Sequence, residues 1–340
     1  MKDQMKPSPR RWPNPEQILL LRAALLQGDD SLTAWQAWRI NADFDRLPPG
    51  GFGLLPMLAY NLKQQGINDP LLDTCHGIHR RTWAQNQTYL RSIAALVQGL
   101  QESDSAYLLM GDILLAMVYY PAPGLRNISH NHLLTPAIQT DGIQAQLKQA
   151  GWQPQPAKRR LDRFMTIAYG QAQRYQPPGQ ELALHWHCLP TDSTLAFPPD
   201  IWQNSQRFTV NGMTIRGVDP TNLLLWICSQ GLVQCWRDGA VQWLADAFML
   251  LRTTLDEIDW PRLLTVATQR TFTFRMRTAL ETLHQYLDTS IPRSVLQTLA
   301  TRPVQPIEAW EAKLYMRLPR TMGQLLALWS AYQRRNIPYP

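Results

Sequence analysis

Cysteine is scarce in this sequence, and long apolar runs are absent. The cysteines are widely separated, form no CxxC pair, and number only four: Cys75, Cys188, Cys228 and Cys235. This spacing is typical of buried, reduced thiols in an intracellular protein and not of a disulfide framework. No apolar stretch reaches the roughly 18 residues that a membrane-spanning helix needs. The polar, proline-rich start of the chain lacks the apolar core of a signal peptide. We therefore expect a cytoplasmic protein without a membrane span.

Several motifs of familiar enzyme classes are also missing. The chain has no GxGxxG fingerprint and no Walker-type lysine loop, which argues against a dinucleotide-binding fold and a P-loop. Ser129 precedes His130, and His187 precedes Cys188. Neither pair predicts a nucleophile with its base, because neighbouring residues of a strand face opposite sides.

The composition is that of a folded, basic protein. The 340 residues include 45% apolar residues and 13 tryptophans, enough for a substantial core. The net charge of +7 permits binding to an anionic ligand or an acidic partner. The densest basic cluster is the predicted anion contact and consists of Lys158, Arg159, Arg160 and Arg163. The alternative is that the basic residues form solvated faces and loop ends. We expect no nucleic-acid binding, because aromatic residues do not alternate with the basic ones.

Changes in sequence pattern divide the chain into four segments. Residues 1–15 are predicted to be a flexible arm, and residues 16–104 follow a helical pattern. Short apolar runs alternate with helical stretches over residues 105–218, which predicts an α/β core that ends in a hairpin around Asn211-Gly212. Residues 219–340 are predicted to be helical again.

The predicted elements of the core and of the second helical segment have approximate bounds. Strands are expected at 106–110, 130–135, 164–169 and 181–187, and a helix at 141–149 with its N-cap near Thr140. Asp219-Pro220 is typical of a helix start. Further helices are expected at 79–102, 113–120, 220–232, 240–253, 260–269, 274–287 and 322–335.

The most informative stretch runs from Gly124 to Leu134. Gly124-Leu125-Arg126 is followed by the alternate positions 130 and 132 and then by two leucines. This pattern resembles a metal-binding strand in which the two alternate positions are the aspartates of an Asp-x-Asp motif. This chain has His130 and His132 there instead. Other signatures lie in a consistent order along the chain, namely 54–58 with 61–62, 107–111, 151–152, 184–186 and 243–246.

In these motifs the chain resembles the uncharacterised nucleotidyltransferase family of bacteria, which is related in fold to polymerase-β-type nucleotidyltransferases. The resemblance implies an α+β fold with a small mixed-sheet core between N-terminal and C-terminal helical regions. It also implies three carboxylates that hold Mg²⁺ ions against a nucleoside triphosphate.

Four positions depart from the family pattern. The paired acids correspond to His130 and His132, the third acid to Ala183, and a lysine to Met110. The family residues that remain are Gly111, Arg126, His185 and Asp246, of which we expect Gly111 and Arg126 to contact a ligand. Asp112 is the nearest carboxylate, and its place at a helix start predicts a capping role.

Three interpretations follow from these departures. The first is a catalytically degenerate protein, a pseudoenzyme, that binds a protein partner or an anionic ligand such as a nucleotide and needs no cofactor. The second is an active Mg²⁺-dependent enzyme that transfers a nucleoside monophosphate to a small molecule or a protein. The third is a mistaken resemblance, which would leave a mostly helical protein of unknown role.

Histidines are concentrated on the two strands of the expected pocket. His130 and His132 share one face of their strand, and His185 and His187 share one face of theirs. Imidazoles favour ions such as Zn²⁺ over Mg²⁺, so a transition-metal site is one reading. The other is that His185 is a hydrogen-bonded core residue and that His130 and His132 have replaced acids that no longer serve metal binding.

Overall fold

A computed structural model describes residues 13–155, 173–176, 181–185 and 199–317. The chain forms a mixed sheet with helices before and after it, so the expected α+β class is confirmed. The predicted strand at 164–169 and the predicted helix at 322–335 lie outside the described residues. No helix among the described residues has the length and apolar character that crossing a bilayer requires.

The N-terminal helices pack around apolar faces. They are α1 (Pro15–Leu25), α2 (Gly28–Arg39), α3 (Gly51–Gln64) and α4 (Leu71–Glu102). Asn14 and Gln17 form a reciprocal capping box that starts α1. The long helix α4 begins earlier than the pattern predicted, and from Thr82 to Leu100 its buried residues follow the three-to-four-residue spacing of one helix face.

The sheet occupies the middle of the chain. Its strands are β1 (Leu108–Gly111), β2 (His130–Leu134), β3 (Gln153–Pro154), β4 (Gln173–Gln176), β5 (Glu181–His185), β6 (Gln206–Val210) and β7 (Met213–Gly217). Their spatial order is β3-β4-β5-β2-β1-β7-β6. β2 lies in the interior, antiparallel to β1 and parallel to β5. The predicted hairpin is present as β6 and β7, with Asn211 and Gly212 at positive φ in the turn.

Short helices lie between the strands. After β1 the chain forms α5 (Asp112–Leu114), which continues into a π-helical turn at Leu115–Tyr119. Next come α6 (Thr140–Gln149) and α7 (Pro199–Gln203). The N-cap of α6 was expected near Thr140; it is the neighbouring Gln139, which makes no side-chain capping bond.

The C-terminal helices follow the hairpin. They are α8 (Pro220–Asp238), α9 (Gln242–Thr254), α10 (Trp260–Gln269), α11 (Thr273–Leu287), α12 (Arg293–Thr301) and α13 (Pro306–Arg317). The Asp219 carboxylate accepts hydrogen bonds from the backbone N–H groups of Thr221 and Asn222, which explains the start of α8. The four-segment division stays a prediction.

One hydrophobic core runs through helices and sheet. It includes Cys75, Cys228 and Cys235, whereas Cys188 lies outside the described residues. Burial raises the pKa of Cys75 to about 12 and raises that of Cys228 as well. Such thiols are poor nucleophiles at neutral pH, so we assign them to packing.

Candidate functional site

The loop before β2 is held tightly against α4. Gly124 has φ +87°, and a Cβ there would lie 2.8 Å from the Cβ of Trp83. One turn further along α4, the Asn86 side chain donates to the Arg126 carbonyl at 2.9 Å and accepts from the Ile128 N–H at 2.9 Å. Glycine is required for this approach, and Asn86 satisfies backbone groups that would otherwise be buried without partners.

This loop places Arg126 between two carboxylates. Its Nη2 lies 2.6 Å from Oδ1 of Asp112, and its Nε lies 2.8 Å from Oδ1 of Asp246. Nη2 also donates to the second oxygen of Asp246 at 3.1 Å, and Nη1 donates to the Asn127 carbonyl at 2.5 Å. The guanidinium thus joins the sheet region to α9, which begins more than a hundred residues later in the sequence.

The electrostatics of this ion-pair network keep Arg126 charged. Burial by itself opposes the charge and would lower the pKa of Arg126, but the attraction of Asp112 and Asp246 outweighs it, so the pKa is raised. The three side chains are only 11%, 8% and 6% exposed. One cation and two anions leave a single net negative charge in this buried cluster.

Tyr120 extends the network. Its hydroxyl donates to Oδ1 of Asp246 at 2.8 Å and accepts from Gln242 at 3.3 Å. Burial, followed by the charge of Asp246, raises the pKa of Tyr120 well above its usual value, so it remains a neutral donor. Arg126 was expected to contact a ligand; its guanidinium is paired with two carboxylates, and the ligand contact stays a prediction.

Asp112 is not a helix cap. The N-cap of α5 is Gly111, at φ 84°, and Asp112 is the first helical residue. Its second oxygen accepts from the backbone N–H of Ser129 at 3.0 Å and from the Ser129 hydroxyl at 3.1 Å. The expected capping role is therefore wrong, because the carboxylate links the end of β1 to the start of β2.

Three of the four positions at which the chain differs from the family pattern form one row across the sheet. In the strand register Met110 of β1 is opposite His132 of β2, and His132 is opposite Ala183 of β5. Residues opposite each other in adjacent strands project from the same face. Met110 is fully buried, and Ala183 is 6% exposed. His130 is paired with Glu181 through its backbone.

His132 and His185 meet on this face. Nδ1 of His132 lies 2.8 Å from Nε2 of His185, and the His132 ring packs against Trp226 of α8 at a centroid distance of 4.9 Å. A hydrogen bond between two imidazoles requires a proton on one nitrogen and a lone pair on the other. The contact therefore engages one of the two ring nitrogens of each histidine.

The remaining predicted site residues fall on other parts of the chain. His187 and the basic cluster Lys158, Arg159, Arg160 and Arg163 lie outside the described residues. Within the described ranges, no group of three or more His, Cys, Asp or Glu side chains could hold a metal ion.

Sequence reasoning missed Asn86 and Tyr120. Asn86 interrupts the apolar stripe of α4, and a polar residue on such a stripe is a usable signal of a buried hydrogen bond. Tyr120 has no comparable signal, since its partners Asp246 and Gln242 are more than a hundred residues away.

Comparisons with known proteins cover most of the site. A family model described as "Uncharacterised nucleotidyltransferase" matches residues 52–288, more than half of the chain. No curated protein matches the chain. Among solved structures, an antigenic nucleotidyltransferase-like protein from Paracoccidioides brasiliensis aligns with 62% of this chain and 92% of its own, at 14% identity and a TM-score of 0.34.

Proposed function

Because the chain belongs to the uncharacterised nucleotidyltransferase family, we propose that it keeps this fold as a binding scaffold and has lost two-metal nucleotidyl transfer. It acts by binding a protein partner or an anionic ligand. Three features of the sheet and its surroundings support this proposal: the residues at the expected metal positions, the engagement of the nearby carboxylates, and the histidine pair.

The row Met110, His132 and Ala183 carries the proposal. These residues stand side by side on three neighbouring strands, at positions where the family resemblance implies a lysine and two acids. A thioether, an imidazole and a methyl group supply no negative charge. Mg²⁺ is a hard ion that prefers carboxylate oxygens, so this row offers it no ligand.

The nearby carboxylates do not replace the missing ones. Asp112 and Asp246 both face Arg126 at hydrogen-bond distance, and Asp112 also accepts two bonds from Ser129. A metal ion at either carboxylate would compete with a buried guanidinium. This arrangement favours a structural role for both acids over metal binding.

The histidine pair is proposed to be a half-buried, hydrogen-bonded pair without a resident metal. The Nδ1–Nε2 contact of 2.8 Å between His132 and His185 satisfies both nitrogens. In a tetrahedral zinc site with Zn–N bonds of about 2.0–2.1 Å, the two nitrogens would move apart to about 3.3 Å. Elemental analysis of protein purified without an affinity tag tests this point: stoichiometric zinc, copper or nickel would contradict it.

Calorimetric titration with ATP, GTP, CTP and UTP, each with and without Mg²⁺, tests the main proposal. We expect no Mg²⁺-dependent binding by the natural chain. The variant with His130→Asp, His132→Asp and Ala183→Asp returns three carboxylates to the expected positions. We expect this variant to gain Mg²⁺-dependent nucleotide binding.

The matched control carries asparagine at the same three positions. Asparagine has nearly the shape of aspartate but no charge, so we expect this variant to gain no metal-dependent binding. Equal Mg²⁺-nucleotide binding by the natural chain and the aspartate variant would show that the missing carboxylates are not needed for it. It would support instead an active Mg²⁺-dependent enzyme that transfers a nucleoside monophosphate to a small molecule or a protein.

A further inference from the structure

A second polar site lies on the N-terminal helices. A cleft of about 430 Å³ between α3 and α4 is lined by Lys63, Asp73, His76, His79 and Arg80. The cleft is separate from the row on the sheet. From its chemistry we propose that it binds a nucleoside monophosphate, with the phosphate among the basic side chains and the base on Trp83.

The charge of the lining suits one phosphate group. Lys63 and Arg80 carry positive charge, and Asp73 is the one carboxylate of the five lining residues. His76 adds an imidazole N–H donor, whereas His79 forms part of the wall of the cleft. Arginine and lysine are the usual partners of phosphate oxygens, because charge-assisted hydrogen bonds to them are short and strong.

His79 is already held in place. Its Nε2 lies 3.1 Å from the Pro123 carbonyl oxygen, which only accepts hydrogen bonds, so this nitrogen carries a proton. A Cβ on Gly124 would lie 3.0 Å from Cδ2 of His79, so the loop packs closely against this ring. A fixed side chain loses little freedom when a ligand binds, which favours affinity.

Trp83 supplies an aromatic surface next to the cleft. At about 100° per residue, Asp73, His76, Arg80 and Trp83 fall on one stripe of α4. Trp83 contacts the same loop residue as His79, and 49% of it is exposed although it is a large apolar side chain. An exposed tryptophan beside basic residues is a favourable surface for stacking a base.

The spacing and size favour a mononucleotide over a nucleic acid. With a rise of about 1.5 Å per residue, Trp83 lies about 4.5 Å beyond Arg80 along the helix axis, a distance that a ribose spans. Two permanent cations suffice for one phosphate, whereas a nucleic-acid strand needs a groove of cations along its backbone. The volume is within the range of small-molecule sites.

Calorimetry of the full chain in EDTA, with AMP, ribose 5-phosphate and adenosine, tests the proposal. We expect AMP to bind more tightly than ribose 5-phosphate, and adenosine to bind least. Arg80→Gln and Lys63→Gln should each weaken AMP at least about tenfold, as expected for the loss of a charge-assisted hydrogen bond. Trp83→Ala should abolish the preference for AMP over ribose 5-phosphate.

Two further variants make the test specific. Asp73→Asn removes the one negative charge of the lining and should tighten AMP binding, a gain that a misfolded variant would not show. Arg81→Gln is the matched control, since Arg81 is exposed, adjacent in sequence and not part of the lining. We expect it to leave the affinity unchanged.

Several results would overturn the proposal. One is the absence of AMP binding at millimolar concentration. Another is an equal loss of AMP affinity with Arg81→Gln and Arg80→Gln, and a third is an AMP affinity that neither Arg80→Gln nor Lys63→Gln changes. A 5′-phosphorylated oligoribonucleotide that binds more than about a hundredfold tighter than AMP would identify a nucleic-acid site instead. Each measurement omits Mg²⁺ and leaves the sheet unchanged. A negative result would therefore overturn the proposed nucleotide cleft without bearing on the proposal that catalysis has been lost.

Discussion

Replacement of Arg126 by methionine tests whether the ion-pair network supports the fold. A methionine side chain would retain much of the volume but would leave Asp112 and Asp246 without the cation that both contact, at 2.6 and 2.8 Å. At an effective dielectric constant of about 20, an ion pair at about 4 Å contributes roughly 4 kcal/mol before desolvation is subtracted. Removal of one partner from a buried pair costs about 3–5 kcal/mol, because the other charge stays buried. We expect a loss in that range.

Urea unfolding followed by circular dichroism and tryptophan fluorescence measures this loss. Arg46→Met is the matched control, because its pair with Asp43 is long, at 3.8 Å, and the two side chains are 87% and 51% exposed. It should change the free energy of unfolding by no more than about 0.5 kcal/mol. Addition of Asp246→Asn to Arg126→Met should restore part of the stability, because it removes one unpaired charge.

Two results would refute this reasoning. If Arg126→Met costs no more than Arg46→Met, the network does not support the fold. If the loss is large but Asp246→Asn restores nothing, the cost comes from packing and not from unpaired charge.

Two further predictions concern single positions near the site. Gly124→Ala should lower the free energy of unfolding by about 2 kcal/mol or more, because φ is +87° and the new Cβ would lie 2.8 Å from the Cβ of Trp83. Gly142→Ala, with open space in a helix, is the control and should instead raise it by about 0.5–1 kcal/mol. Equal effects of the two substitutions in thermal unfolding would contradict the expected clash at Gly124. Asn131 is 1% exposed, and its amide has no hydrogen-bond partner among the described residues, so Asn131→Leu should raise the free energy of unfolding by about 1–2 kcal/mol. Exposed Asn41→Leu is its control, and a destabilised Asn131→Leu variant would show that the amide is satisfied in solution.

Much of the fold followed from local signals. Asn211-Gly212 between two alternating runs predicted the hairpin, and Asp219-Pro220 predicted the start of a helix. Both depend on backbone preferences of a few neighbouring residues, which a sequence displays directly. The family resemblance indicated that the strand of His130 and His132 and the strand of Ala183 contribute to the same site.

The parts that sequence did not predict depend on distant partners. Arg126 could be recognised as a motif residue, but its role depends on Asp246, which is 120 positions away. Asp112 was expected to cap a helix because its position at a helix start is typical of caps, whereas Ser129 and Arg126 use both of its oxygens. The α3–α4 cleft likewise depends on Lys63 of α3 lying close to His76 and Arg80 of α4. Such contacts are set by tertiary packing, which local patterns do not encode.

An assay of pyrophosphate release by the full chain, with each of the four Mg²⁺-nucleoside triphosphates, distinguishes a binding scaffold from an active enzyme. We expect no release above a blank without protein, because the row Met110, His132 and Ala183 holds no metal ligand for Mg²⁺. Mg²⁺-dependent release by the natural chain would contradict the proposed loss of catalysis, most clearly if Asp112→Asn or Asp246→Asn abolished that release while the variant remained folded.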